Sequence, residues 1–371
     1  MEYSVVVHIS SGHSLFHAAK VYAGLDALAA QGVIGLRVTS RDPFPADVVL
    51  LSVTARGSNA QRLVAIDLYD HSDRFCPAAL ANCDVYFKRN LFRPHMQRLL
   101  PAEGAKVLPF GLSHPCVGHA SRRWAVWHWG RAVVGALRRS PREAIGRLRP
   151  WLQDLRLYHD LSHFAAFEQH PDAVVEPVVL FQTRVWEPEE STENLDQINE
   201  ERVALIRRLR AALGTRFHGG VLPTPFARQR YGDVLLTEGY RQGGYISVMQ
   251  RHLVGINTRG LHRSIAFKVP EYLAASVCMV SEPLRNELPH SLSPEQHYLE
   301  FQSHDECIAQ CERLLSNPDE AREMRWQNFT YYRRWVSPPA QMLDCLERAF
   351  GAGADVRHDA GSSRVSGTAI A

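Results

Sequence analysis

The chain has 371 residues, of which 45% are hydrophobic and 22% are charged, and its formal net charge is +3. This composition is that of a globular protein with two domains and excludes a chain that is mainly disordered. The nearly neutral charge gives no indication of nucleic-acid binding, which needs a concentrated basic surface. The first residues lack the pattern of a signal peptide and no apolar run is long enough to span a membrane, so we expect a cytoplasmic protein.

Strands and helices alternate through the first part of the chain. A strand at 5–9 leads through a polar turn into a helix at 15–30, whose apolar residues recur with helical spacing. Further short apolar runs predict strands at 34–38, 47–53, 63–67, 85–88 and 106–110. Continuous apolar runs in such an alternation predict a parallel sheet covered by helices on both faces, and we expect a Rossmann-like domain over residues 1–120.

Residues 121–173 differ in composition and predict a basic helical excursion that links the two domains. Between 121 and 160, nine arginines accompany three acidic residues. Four tryptophans are interspersed among them: Trp124, Trp127, Trp129 and Trp151. Arginine and tryptophan at helical spacing are typical of a surface that enters a membrane interface. Two alternatives stay open, namely solvated arginines with tryptophans packed on the domains, and a groove that stacks single-stranded nucleic acid.

The remaining sequence repeats the strand–helix pattern. We predict strands at 177–182, 216–222, 253–257, 277–281 and 298–301, with helices at 197–213, 264–275, 305–315, 318–334 and 339–350. These elements predict a second Rossmann-like domain over residues 174–335. We expect the segment 336–350 to cross back over the first domain as a helix, and the small, polar tail 351–371 to be disordered.

The polar segment after the strand at 253–257 carries the clearest indication of chemistry. Ligands of open α/β sheets bind at the carboxyl ends of strands, and free N–H groups at a helix start suit phosphate. A sugar nucleotide requires positive charge for its diphosphate and a carboxylate for its ribose diol. A loop whose charges are simply solvated would have the same composition, so this alternative stays open. The candidate donor-binding residues are Asn257, Arg259, His262, Arg263, Ser264, Lys268 and Glu271.

This segment also resembles the donor-binding end of bacterial GT-B glycosyltransferases of the "glycosyl transferases group 1" kind. In that family a helix of the form K-x-x-E-Y/A-x-A-x-G precedes a buried strand that ends in VVSE or VVAT. The matching residues here are Lys268, Glu271, Tyr272, Ala274, Ala275, Met279, Val280, Ser281 and Glu282. The resemblance covers about 174–350. It implies that Glu271 binds the ribose of the donor and that Arg184, after the first strand of the second domain, binds its phosphates.

One departure from the family limits what the resemblance implies. Retaining members often carry two glutamates in an E-x7-E pattern, and the first of these positions is Arg263 here. The role of the missing glutamate, near the donor sugar, therefore has no counterpart. Neither the donor sugar nor the stereochemistry follows from the sequence.

The resemblance places the acceptor in the first domain. His13, in the turn after the first strand, is a candidate general base because imidazole titrates near neutral pH. Asp67 and Asp70, at the end of a later strand, are further candidates, and polar turn or capping roles are the alternatives for all three. Lys88 and Arg89 are candidate ligands of an anionic acceptor.

The sequence therefore predicts a GT-B enzyme with two Rossmann-like domains that face a central cleft. We expect a hexosyltransferase-like enzyme that moves a sugar from a nucleotide-diphosphate sugar to a glycan or lipid-linked glycan acceptor, in bacterial surface polysaccharide synthesis. We expect no cofactor, no metal and no nucleic acid, and a peripheral contact with the inner membrane. A sugar-nucleotide epimerase of the same fold and a non-catalytic binding protein are the alternatives.

Overall fold

Two sheets, each flanked by helices, organise the protein. The computed structural model describes residues 2–40, 48–57, 60–239 and 242–351. The first domain contains β1 (Tyr3–His8), α1 (Leu15–Ala30), β2 (Ile34–Thr39), β3 (Val49–Ala55), β4 (Gln61–Asp67), α2 (Pro77–Asn82), β5 (Val85–Lys88), α3 (Arg93–Leu99) and β6 (Val107–Pro109). The start of the strand predicted at 47–53 and most of the predicted tail lie outside the described residues.

The first sheet is mixed, which corrects the prediction of a wholly parallel sheet. Its strand order is β2-β1-β3-β4-β5-β6, and β3 runs antiparallel to both of its neighbours, β1 and β4. Only residues 56–60 connect β3 to β4. A parallel pair needs a crossover of about a dozen residues or more, so a connection of this length forces a reversal of direction.

The helix α1 begins and ends at the predicted residues. The hydroxyl of Ser14 accepts a hydrogen bond from the backbone N–H of His17 and caps the helix. Gly32, with a φ of +73°, follows the last turn and lets the chain reverse into β2. Most of the helix is buried, because the sheet lies on one side of α1 and other helices cover the rest.

The basic excursion forms three helices, α4 (Ser121–Arg139), α5 (Pro141–Gly146) and α6 (Leu148–His159). The indoles of Trp129 and Trp151 are buried and meet edge to face, with ring centroids 6.2 Å apart. Trp127 in contrast keeps 64% of its surface exposed. No helix in the described part of the chain is both long enough and apolar enough to cross a bilayer.

The second domain holds a five-stranded parallel sheet. Its elements are β7 (Glu176–Thr183), α7 (Leu195–Leu213), β8 (Phe217–Val221), α8 (Pro225–Arg230), α9 (Gln242–Arg251), β9 (His252–Asn257), α10 (Lys268–Ala274), β10 (Cys278–Ser281), β11 (Leu299–Glu300), α11 (His304–Ser316) and α12 (Pro318–Tyr331). The strand order is β11-β10-β9-β7-β8. The next strand in the chain after β7 lies on one side of it, and the one after that lies on the other. The carboxyl ends of β7 and β9 therefore flank a topological switch point.

The helix α10 begins at Lys268, four residues later than predicted. His262 and Arg263 both have a φ of +56°, a left-handed conformation that a helix cannot contain. Ser264 is extended (φ −67°, ψ 152°), so the helix cannot begin there. The residues before α10 form an irregular loop with one short 3-10 turn at Leu261–Arg263, which we call the 258–267 loop. The helix start that the sequence predicts near Ser264 therefore lies at Lys268.

The last helix, α13 (Pro338–Gly351), returns to the first domain and packs on α1. The contact is close, because a Cβ added to Gly24 would lie 2.3 Å from the carbonyl oxygen of Pro338. Two Rossmann-like domains with a final helix that returns to the first domain are the GT-B arrangement predicted from the sequence.

Candidate active site

A cavity of about 340 Å³ opens at the switch point of the second sheet, and we call it the switch-point pocket. Arg184 follows β7, and Lys268 and Glu271 belong to α10. Further residues that line it include Gln182, Trp186, Arg202, Leu222, Gly239, Tyr245 and Phe267. This position is where open α/β sheets bind their ligands. The structure thus brings three of the predicted donor residues together.

Lys268 and Glu271 are one helical turn apart and face the same cavity. Burial raises the pKa of the Glu271 carboxyl to about 8, although the charge of Lys268 acts in the opposite direction. Burial also lowers the pKa of the Lys268 ammonium to about 7, and the nearby charge of Arg202 lowers it further. Because both groups are poised to change charge near neutral pH, a ligand that carries charge can set their protonation.

Arg202 is a functional candidate that the sequence analysis missed. Its guanidinium donates hydrogen bonds to the carbonyl oxygens of Arg184 (2.7 Å) and Arg259 (2.6 Å). It also lies 4.1 Å from the ring centroid of Trp186. Burial lowers the pKa of Arg202 to about 9. The sequence does contain a signal, because Arg202 lies among the apolar residues of α7 that face the core. A charged side chain is rarely buried at such a position unless it is paired.

Two further residues of the pocket were missed, Gln182 and Tyr245. The Nε2 atom of Gln182 is buried and has no hydrogen-bond partner among the described residues. Tyr245 lies beside Glu271, whose charge adds to burial in raising the pKa of the tyrosine. Buried donors normally find an acceptor, so the amide of Gln182 indicates a place for an acceptor atom of a ligand.

A second cavity, of about 300 Å³, lies between the two domains, and we call it the interlobe pocket. His13 and Asp70 from the first domain line it together with His262 from the 258–267 loop. The Nδ1 atom of His13 is 3.5 Å from the backbone N–H of Ser10, which donates to it. The rings of His71 and His262 stack with centroids 3.6 Å apart, so the two domains meet at this cavity.

The structure argues against the predicted roles of Asp67, Lys88 and Arg89. Asp67 is fully buried, and its carboxylate accepts hydrogen bonds from Lys88 (2.8 Å) and from the hydroxyl of Tyr86 (2.6 Å). An ion pair with no exposed surface cannot act as a base or meet an acceptor. The guanidinium of Arg89 is likewise occupied by Asp70 and by the backbone. Among the predicted first-domain residues, His13 and Asp70 remain as candidate bases.

The other predicted donor residues lie apart from the switch-point pocket. Asn257, Arg259, Arg263 and Ser264 line a third cavity, of about 770 Å³, at the carboxyl ends of β9 and β10. His262 belongs to the interlobe pocket. The single donor set predicted from the sequence is therefore divided among three cavities. All seven cysteines are buried and form no disulfide. No group of three or more His, Cys, Asp or Glu side chains in the described ranges could hold a metal ion.

Sequence comparison relates most of the second domain to a protein family. Residues 201–336 match the family whose model is described as "Glycosyl transferase-like". This segment is glycosyltransferase-like. It contains Arg202, Lys268 and Glu271, and it includes the segment on which the resemblance was based. The resemblance of this part of the chain to glycosyltransferases is thereby confirmed, and the match supports transferase chemistry. Comparison with curated proteins gives no match.

Solved structures give only distant similarities. The C-terminal domain of the group 1 glycosyltransferase LpcC from Francisella tularensis aligns with 42% of this chain and 85% of its own, at 9% identity and a TM-score of 0.28. A UDP-GlcNAc 2-epimerase from Neisseria meningitidis aligns over 73% and 62%, at 11% identity and a TM-score of 0.36. The wall teichoic acid polymerase TagF aligns over 76% and 60%, at 8% identity and a TM-score of 0.28. The alignment thus spans less than two thirds of the last two proteins, and with TM-scores below 0.5 none of these similarities carries an argument about function.

Proposed function

We propose that the protein is a glycosyltransferase that binds a nucleotide-diphosphate sugar in the switch-point pocket and transfers the sugar to an acceptor in the interlobe pocket. The observation that carries the proposal is that Glu271, which is buried, and Lys268, which is half-buried, line one cavity at the switch point. Both residues lie inside the glycosyltransferase-like segment, and the same cavity is lined by Gln182, whose Nε2 atom has no hydrogen-bond partner among the described residues. Buried titratable groups in a cavity are the usual mark of a ligand-binding or catalytic site.

Each group of the pocket suits one part of the donor. The ammonium of Lys268, with the charge of Arg202 near it, supplies positive charge for the diphosphate. Arg184 lines the same pocket and pairs with Glu190, so it would have to exchange this partner for the diphosphate. The carboxyl of Glu271 is placed to accept hydrogen bonds from the ribose hydroxyls. When the bond between the sugar and the diphosphate breaks, the same cations stabilise the charge that develops on the leaving group, so the proposed reaction needs no cofactor and no metal.

The 258–267 loop connects the donor with the acceptor. Gly260, Ala266 and Phe267 line the switch-point pocket, whereas Leu261 and His262 line the interlobe pocket. An acceptor hydroxyl in the interlobe pocket would attack the anomeric carbon of the sugar as the diphosphate departs. Its proton would pass to His13 or Asp70, which line the same cavity.

The finer details of the reaction belong to the same proposal. The transferred group is a hexose-like sugar, and the acceptor is a glycan or a lipid-linked glycan of bacterial surface polysaccharide synthesis. Such an acceptor would bring the protein to the cytoplasmic face of the inner membrane. The chemistry of the interlobe pocket supports such an acceptor, since imidazole and carboxylate groups line the pocket and can receive the proton of an acceptor hydroxyl.

Titration calorimetry with UDP, GDP, TDP and CMP tests the donor site. We expect one of these nucleotides to bind, and Lys268→Ala and Glu271→Ala each to weaken its binding by about tenfold or more, because each removes a contact with a charged or hydrogen-bonding group. Glu201→Ala, at an exposed residue of the third cavity, is the matched control and should leave affinity unchanged. Wild-type affinity in both pocket variants would refute the site assignment.

Product analysis then tests the reaction itself. With the nucleotide sugar alone we expect little release of nucleoside diphosphate, and with an acceptor we expect a glycosylated product. Epimerised nucleotide sugar without an acceptor would show that the chain is an epimerase. His13→Ala should lower turnover about a hundredfold or more while the affinity for the nucleotide stays unchanged, because the base contributes to the chemical step and lies outside the switch-point pocket.

A further inference from the structure

The helices α4, α5 and α6 expose apolar side chains that no other described part of the chain covers. Among the described residues, nine large hydrophobic side chains are exposed, and six of them belong to these three helices. The six are Trp127, Val134, Ile145, Leu148, Leu152 and Leu157. Such a concentration within one short segment marks an interaction surface, whereas exposed hydrophobic residues scattered singly would need no explanation.

Positive charge covers the same surface. None of the nine arginines between 121 and 160 forms an ion pair with a carboxylate in the part of the chain that the structure describes. On α4, five of the six exposed residues follow one another at helical spacing, namely Arg123, Trp127, Arg131, Val134 and Arg138, and the sixth is Arg139. On α6, Leu148, Arg149, Leu152 and Arg156 are exposed in the same way. Apolar and cationic side chains therefore share one face of each helix.

We propose that the exposed faces of α4, α5 and α6 form a docking surface for an anionic lipid bilayer. Exposed leucine, isoleucine, valine and tryptophan side chains can enter the boundary between headgroups and acyl chains. The arginines meet anionic headgroups, and each arginine near such a surface raises partition about fivefold. The chain approaches the bilayer from one side, because no described helix could cross it.

The chemistry of the surface favours lipid over two other occupants. A second copy of the chain would place nine arginines against nine arginines with only three acids for each set, so the two surfaces would repel. Single-stranded nucleic acid binds by stacking its bases on aromatic rings. Trp127 is the only exposed tryptophan on these described helices, because Trp124 is half-buried and Trp129 and Trp151 are buried, and the other exposed apolar side chains are aliphatic.

The docking surface is joined directly to the interlobe pocket. The indole N–H of Trp151 donates a hydrogen bond of 2.9 Å to the carbonyl oxygen of Ser11. The carboxylate of Asp154 accepts hydrogen bonds of 2.6 Å from the hydroxyl of Ser14 and from the backbone N–H of Leu15. The helix α6 therefore holds the loop that carries His13. If the proposed function is correct, the bilayer that binds the surface would also present a lipid-linked acceptor next to this loop.

Sedimentation of the full chain with lipid vesicles tests the surface. We use vesicles of phosphatidylcholine alone and vesicles with about 30% phosphatidylglycerol, and we expect binding only to the anionic ones, weakening with salt. The variant Arg123→Glu, Arg131→Glu, Arg138→Glu should reduce partition by about tenfold or more. The control Arg56→Glu, Arg98→Glu, Arg228→Glu makes the same change of net charge at unpaired arginines outside the surface. It should change partition less than about threefold.

A second pair of variants tests how much the apolar side chains contribute to vesicle binding. Leu148→Ser with Leu152→Ser should reduce partition at high salt by about fivefold or more, because the loss of buried apolar area is not screened by ions. The control, Leu99→Ser with Val174→Ser, removes two exposed apolar side chains elsewhere. It should leave partition unchanged, and both variants should keep the wild-type circular dichroism spectrum.

Several results would overturn the docking surface. Absence of binding to anionic vesicles would do so, as would equal losses in the arginine variant and its control. Binding of single-stranded RNA without vesicle binding would assign the surface to nucleic acid, and a change of oligomeric state in the variants would assign it to a second copy. Vesicle binding needs no nucleotide, so a failure of the nucleotide experiments would refute the proposed function and leave this result standing.

Discussion

Arg89 of the first domain donates a hydrogen bond of 3.1 Å to the carbonyl oxygen of Ile265 in the second domain. The same guanidinium holds Asp70 at 2.5 Å and lies 4.4 Å from the ring centroid of Phe267. Asp70 lines the interlobe pocket, and Phe267 lines the switch-point pocket. The side chain of Arg89 thus contacts a residue that lines each of the two pockets, across the boundary between the domains.

Removal of the Arg89 guanidinium should affect acceptor binding and turnover more than it affects nucleotide binding. We expect Arg89→Met to raise the KM for the acceptor or lower kcat, by about tenfold overall, because Asp70 and the 258–267 loop lose their common anchor. The affinity for the nucleotide, whose pocket belongs to the second domain, should change less than about threefold. Arg93→Met, which breaks the half-exposed interdomain pair with Glu287, is the control and should have little effect on either quantity. Steady-state kinetics with calorimetry would measure both, and equal losses of nucleotide and acceptor binding would contradict the assignment.

The buried carboxyl of Glu271 should lower stability at alkaline pH. Burial raises its pKa from the ordinary value of 4.5 to about 8 in the folded protein, so its contribution to stability is fully present below pH 4.5 and is lost as the pH rises through 8. Glutamine does not titrate. Glu271→Gln should therefore resemble the wild type at pH 5 and exceed its free energy of unfolding by about 1 kcal/mol or more at pH 9. Urea denaturation at both pH values measures the difference, and a constant difference across this range would show that Glu271 is not the group responsible.

Binding of a nucleoside diphosphate should be linked to uptake of a proton by Lys268. Burial lowers the pKa of its ammonium to about 7 in the free protein, and a diphosphate beside it would raise this pKa again. Affinity should therefore fall as the pH rises from 7 to 9. At pH 8, calorimetry in two buffers with different ionisation enthalpies should show uptake of about half a proton or more. The carboxyl of Glu271 also titrates near pH 8 in the same pocket, so Lys268→Met should reduce the uptake and the double variant Lys268→Met, Glu271→Gln should abolish it. Proton uptake that survives both substitutions would point to another group.

The ion pair of Asp67 and Lys88 should contribute to the stability of the protein and not to the binding of the acceptor. Both side chains have no exposed surface, so Lys88→Met would leave the carboxylate of Asp67 buried without its cation. We expect a loss of about 3–5 kcal/mol in the free energy of unfolding. The double variant Asp67→Asn, Lys88→Met should recover part of that loss, because it removes the uncompensated charge. A single variant with wild-type stability and a selective loss of acceptor binding would restore the role predicted from the sequence.

The packing of α13 on α1 should be sensitive to a single methyl group. A Cβ at position 24 would lie 2.3 Å from the carbonyl oxygen of Pro338 and 2.5 Å from Cγ of Met342. We expect Gly24→Ala to destabilise the protein by about 1–3 kcal/mol, as overpacked cores do. Gly130→Ala is the matched control, because it also lies within a helix but no atom approaches its Cβ within 4 Å. That change should stabilise by up to about 1 kcal/mol. Thermal denaturation compares the two, and equal stability would show that α13 does not pack closely here.

The sequence by itself determined the features that depend on neighbouring residues in the chain. The helix at 15–30 is predicted with its observed ends because its apolar spacing is a local signal. The strand at 85–88 was likewise predicted with its observed ends. The K-x-x-E pattern at Lys268 and Glu271 places both groups on one face of a helix wherever the helix lies, and the structure brings them into one pocket.

Only the tertiary structure decided which distant segments meet. The antiparallel direction of β3, the burial of Asp67 against Lys88 and the division of the predicted donor residues among three cavities depend on partners far away in the chain. Arg202 follows the same rule, since its role comes from carbonyl groups at 184 and 259. A charge is costly to bury unless its partners are in place, and a single sequence does not state which partners folding will supply.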